Sequence, residues 1–72
     1  MRRTTIAIRR DGAGTYAWIE TRLPGGRLVN RQAAVAALHR ACPQACRMRF
    51  AEQWHVPLRL HAFKVYFDTG PD

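Results

Sequence analysis

Residues 30–43 read NRQAAVAALHRACP, and this run decides the fold because it is the one helix-patterned segment in a chain otherwise patterned for strands. Alanine, the residue with the highest helix propensity, dominates it. Val35, Leu38 and Cys42 recur at i, i+3 and i+7 as an apolar stripe, with Ala34 and Ala41 on its flank and Gln32, Ala36 and Arg40 facing away. Asn30 fits an N-cap, its side-chain oxygen placed to accept from the amides of Gln32 or Ala33. Pro43 pushes Cys42 out of helical geometry, so the helix spans 31–42, about three turns.

Upstream of the helix, residues 4–10 alternate, with Ile6 and Ile8 against Thr5, Ala7 and Arg9. Asp11-Gly12-Ala13-Gly14 then reads as a hairpin turn, since glycine accepts positive φ. Residues 15–23 form a second strand, Ala17, Ile19, Thr21 and Leu23 on one face and Tyr16, Trp18, Glu20 and Arg22 on the other, ended by Pro24-Gly25-Gly26. Downstream, a strand over 46–54 sets Cys46, Met48 and Phe50 against Arg47, Arg49 and Ala51, and His55-Val56-Pro57 connects it to a strand over 58–68. In that last strand Leu58 and Leu60 share one parity while Phe63, Val65 and Phe67 share the other. If all of them face the core, a β-bulge is needed at His61-Ala62.

The order ββαββ predicts an α+β domain: an antiparallel sheet of about four strands with one helix packed on one face. The covered face would carry Ile6, Ile8, Ile19, Met48, Phe50, Leu58, Leu60, Phe63, Val65 and Phe67 against Val35, Leu38 and Cys42. Seventy-two residues make one domain, with an ordered core over 3–68 and a frayed tail over 69–72. Apolar residues at 47% and charged residues at 24% describe a chain that folds, not a disordered basic tail. No apolar run approaches the ~18 residues of a membrane span, and residues 1–10 show no secretory apolar region. The expectation is a cytoplasmic protein without membrane association and with free thiols at Cys42 and Cys46. A core of this size supplies about 3–5 kcal/mol, which makes a homodimer a natural remedy.

Twelve Lys+Arg against five Asp+Glu leave a net charge of +7, and that surplus attracts polyanions. The face without a helix would display Arg9, Arg47, Arg49, Arg59, His61 and Lys64, with Tyr16, Trp18 and Tyr66 among them. Guanidinium groups donate to phosphate oxygens, and aromatic rings offer stacking surfaces to unpaired bases. The leading expectation is therefore a non-catalytic nucleic-acid-binding protein favouring single strands. Neutralising about five phosphates would give a slope of log K against log salt near −3.5. The alternative is a protein-interaction module, an inhibitor or adaptor of the kind carried by phages and mobile elements, that docks on an acidic partner or homodimerises through the same face. Helix readout of duplex DNA is less well supported, because Gln32, Ala33, Ala36, Ala37 and Arg40 are poor base readers.

His39, Cys42 and Cys46 are spaced within the range of zinc loops, but Cys46 also fits the apolar stripe with Met48 and Phe50, and core packing is preferred to a metal. No cofactor is implied. Serine is absent and the five acids, Asp11, Glu20, Glu52, Asp68 and Asp72, are scattered, so nothing assembles a catalytic centre. Arg27 and Arg31 place cations at the positive end of the helix, where a contact with an acidic partner would relieve them.

Overall fold

A computed structural model describes residues 3–22, 30–56 and 60–70. Its elements are β1 (Arg3–Asp11), β2 (Gly14–Arg22), α1 (Arg31–Ala41), β3 (Ala45–Val56) and β4 (Leu60–Thr69). The strands form one antiparallel sheet in the order β1-β2-β4-β3, so the α+β arrangement ββαββ stands as read from the sequence. The end of the second strand at Leu23, the turn at Pro24-Gly25-Gly26, and Arg27, Leu58 and Arg59 lie outside the described residues, as do the last two positions.

The β1–β2 hairpin closes through Gly12 and Ala13, with Asp11 paired to Gly14. Asp11 Oδ1 accepts from the Ala13 amide at 2.8 Å, a side chain standing in for a backbone turn bond. The left-handed conformation belongs to Gly14, at φ 132°, where a side chain would be strained. In α1, Asn30 Oδ1 accepts from the Ala33 amide at 2.8 Å, as its N-cap role requires. Cys42 caps the other end, its amide donating to the Leu38 carbonyl at 2.7 Å.

The helix buries Ala34, Ala37 and Leu38 rather than a stripe centred on Val35, which is only half-buried. Ala37, expected to face outward, is therefore in the core: small residues let the helix sit close to the sheet. The central strands supply Ala17, Ile19, Phe63, Val65 and Phe67, with Ile6, Met48, Phe50 and Cys42 packed around them. The Phe50 and Phe63 rings meet edge to face, with centroids 5.4 Å apart. Ile8 shares the side of Ile6 but stays 47% exposed, because β1 is an edge strand.

Two strand expectations are corrected. There is no bulge at His61-Ala62: β4 keeps one register against β2 from Arg22↔Leu60 to Tyr16↔Tyr66. His61 consequently lies on the helix side, paired with Thr21 and 4% exposed, while Leu60 lies on the open side. The irregularities fall instead in β3, between Cys46 and Arg49 and between Phe50 and Glu52. Arg47, in the first, has φ 51°, a left-handed value that a non-glycine residue rarely adopts. This bulge separates Cys46 from Met48 and Phe50: Cys46 pairs with Asp68, and Ala45 takes the buried position. β3 also runs on through His55 and Val56, and β4 through Thr69, residues expected in a connection and a tail.

Candidate nucleic-acid interface

Because paired residues share a face, the register lays the open-face side chains in rows across the sheet. The most ordered row crosses all four strands as Arg9, Tyr16, Tyr66 and Arg49. The next holds Ala7, Trp18, Lys64 and Glu52, and the one after it Thr5, Glu20, Ala62 and Trp54. Of the sequence-derived candidates, Arg9, Tyr16, Trp18, Arg47, Arg49, Lys64 and Tyr66 all come from strands that build this one face. His61 does not reach it.

The centre of the face is a closed polar network. Lys64 Nζ lies 4.5 Å from the Tyr16 ring centroid and 5.2 Å from that of Tyr66. It also pairs with Asp11 Oδ2 at 3.3 Å and faces Glu52 Oε2 at 3.9 Å. The Tyr66 hydroxyl donates to the same Asp11 oxygen at 2.6 Å. That bond first, then the Ala13 amide, holds the Asp11 carboxyl below its ordinary pKa, with Lys64 adding to it. In return the Tyr66 oxygen and the Asp11 carboxylate raise Lys64, and donation to Asp11 raises Tyr66. Tyr66 is 9% exposed. The two tyrosines and the lysine are thus bound to one another before any partner arrives.

Most other cations of the face also have carboxylate partners. Arg47 Nε donates to Asp68 Oδ2 at 2.8 Å. Arg22 Nη2 lies 3.2 Å from Glu20 Oε2, whose other oxygen accepts from Trp18 Nε1 at 2.9 Å. Asp11, Glu20, Glu52 and Asp68 therefore pair with three cations of this face, Lys64, Arg22 and Arg47. Arg9 and Arg49 are the ones that pair with no carboxylate among the described residues. Arg49 instead lies over the Tyr66 ring, 5.2 Å from its centroid. Between the β1–β2 turn and the first bulge of β3 the surface sinks into an open concavity of ≈ 310 Å³, with Arg47, Arg49, Tyr66 and Asp68 in its wall.

Trp54, absent from the sequence-derived set, joins Trp18 here. Their ring centroids are 4.7 Å apart and tilted by 55°, and Trp54 is 42% exposed. The two indoles come from strands on either side of β4 and meet across it, where Ala62 is small enough to be covered completely. Simple alternation puts Trp54 with Phe50, on the core side. The second bulge of β3 shifts the facing by one residue and brings it to the open face. The one sequence signal for this was an acidic Glu52 where alternation from Met48 and Phe50 called for a core residue.

His55 and His61 meet ring to ring across β3 and β4, with centroids 5.7 Å apart. His39 Nε2 hydrogen-bonds the Ala45 carbonyl at 3.2 Å, the Cys46 thiol faces the Asp68 carbonyl at 3.4 Å, and both cysteines are free. Among the described residues, no group of three or more His, Cys, Asp or Glu side chains is arranged to hold a metal ion, and no helix is long and apolar enough to cross a membrane. Arg31, at the start of α1, is stationed over the Phe50 ring at 5.1 Å, a local reason for a cation at that helix end. Comparisons with protein-family models, with curated proteins and with solved structures find no match to this chain.

Proposed function

We propose that the open sheet face binds single-stranded nucleic acid laid across the strands. The observation that carries this reading is that Arg9 and Arg49, which pair with no carboxylate among the described residues, stand at the two ends of one row across the sheet, Arg9–Tyr16–Tyr66–Arg49. Three interstrand steps separate the two arginines, about 14 Å of backbone spacing. Arginines so placed reach phosphates on either side of a short base stack. The concavity beside Arg49 gives a phosphate room to enter. Bases stack on the exposed Trp54 and its neighbour Trp18, not on the tyrosines, whose rings already carry Lys64 and Arg49. The chain needs no catalytic group for this role.

Titration of a labelled oligonucleotide at ~50 mM salt tests the reading. Trp54→Ala and Trp18→Ala are each expected to weaken binding by about 5- to 150-fold, the loss of ~1–3 kcal/mol of stacking. Binding that is absent, or that neither substitution alters, would overturn it. A second reading, a protein-interaction module, is favoured by the ion pairing on this face, where four carboxylates already engage three of its cations. On that reading the tryptophans would anchor a protein surface, and oligonucleotides would compete poorly for it.

A further inference from the structure

The two edges of the sheet are built differently. β3 is interrupted by two bulges and by the left-handed Arg47, features that stop a further strand from pairing along it. β1 pairs with β2 without a register shift from Arg3↔Arg22 to Asp11↔Gly14, and contains neither proline nor glycine. Its outer edge presents a regular series of N–H and C=O groups that no strand covers among the described residues. Beside that edge Ile8 is 47% exposed, on the side of the sheet that should be apolar.

We infer that β1 is a self-association edge, pairing antiparallel with β1 of a second copy about a two-fold axis at Ala7. In this register Ile6 lies opposite Ile8 of the second copy and Ile8 opposite its Ile6, both on the helix side. Thr5 falls opposite Arg9 and Thr4 opposite Arg10, so no arginine meets another. The neighbouring registers are poorer: an axis at Ile6 sets the positions of Arg9 and Arg3 opposite each other, and an axis at Ile8 sets Arg10 against Ile6. Nine residues paired in this way exchange about eight backbone hydrogen bonds. Because α1 lies over β1 and β2, the two helices come to rest side by side about two strand spacings apart. That is ~10 Å, the distance at which helices pack. Both open faces then lie on one side of a continuous eight-stranded sheet.

Sedimentation of the full chain from about 1 μM to about 1 mM tests this. A concentration-dependent monomer–dimer equilibrium is expected, and Ile8→Lys, at a position exposed in the monomer, should weaken it about tenfold or more with an unchanged circular dichroism spectrum. A register test is independent of affinity. With Cys42 and Cys46 replaced by alanine, Ala7→Cys should cross-link to itself under mild oxidation, because paired Cα atoms at ~4.5–5.5 Å suit a disulfide. Thr5→Cys should not, being offset from its own copy. A monomer throughout the range, a dimer indifferent to Ile8→Lys, or Thr5→Cys cross-linking as readily as Ala7→Cys would overturn the proposal.

Discussion

Lys64 shows why a charge in a sequence is not yet a charge available to a ligand. Its ammonium is engaged by two tyrosine rings and two carboxylates, so it organises the face and has little left to offer a phosphate. His61 makes the opposite point: a residue expected on the surface is buried against Phe63 and beside His55. The Gln53 amide nitrogen stands 3.1 Å from His61 Nε2 and can only donate, so that ring nitrogen accepts and is unprotonated. Burial first, and His55 second, lower the His61 pKa. The folded state thus binds a proton less readily than the unfolded chain, whose histidine titrates near 6.5, and stability is lost as pH falls below that value. The urea midpoint should drop between pH 7.5 and pH 5, and His61→Phe should flatten that limb; an unchanged slope would remove His61 as its source. Asp11 governs a lower window. Its stabilisation is complete above its ordinary pKa of 3.8 and disappears as pH falls through the depressed folded value. Asp11→Asn should lower the urea midpoint at pH 7 and shrink the acid-induced loss below pH 4.

Among the elements, α1 and the β1–β2 hairpin were the most legible, because each is written in one uninterrupted period with its own punctuation. Asn30 begins the helix and Cys42-Pro43 ends it, within a residue of where capping and proline sterics place them. Asn30→Ala should cost about 1 kcal/mol in urea unfolding, with the midpoint shift and an unchanged m-value as the measure. No acidic residue in the first turn supports the cap, so the loss should not be masked. The second half of the chain was harder to read. The change of apolar parity along β4 is real, but it is the apolar face that changes sides and not the strand. At the Leu60 end the open side carries Leu60, Val56, Trp54 and Trp18, while the helix side holds the polar Thr21, His61 and Gln53. Hydrophobic periodicity assumes one apolar face from end to end, and so it placed a bulge in β4 that the register does not contain. The true bulges lie in β3, where Arg47, Met48, Arg49, Phe50 and Ala51 alternate without a flaw. Arg49 was still found on the open face because it lies beyond the first bulge and before the second, while Arg47, inside the first, reaches Asp68 of that face. Trp54 and Glu52, past the second, were missed for the same reason.

For the whole molecule, a net charge of +7 and a largely ion-paired open face are compatible only if much of the surplus is carried elsewhere. Among the described residues Arg10, Arg31 and Arg40 lie off the open face, on the edge of the sheet and on α1. Distant cations of this kind raise the local concentration of a polyanion and hasten encounter, and they weaken as salt shortens the Debye length. Contacts in the bound state are a separate quantity. If Arg9 and Arg49 take phosphates while Lys64 stays in its network, about two phosphates are neutralised. The slope of log K against log salt for a single strand is then about −1.4, not the −3.5 that five open cations would give. Arg9→Gln combined with Arg49→Gln should bring that slope close to zero, whereas Lys64→Gln should weaken folding more than it changes the slope. A wild-type slope near −3 would mean that the Lys64 and Arg47 ion pairs open on binding. The closed network would then be a resting state that phosphate displaces, and the face would act with most of its cations at once.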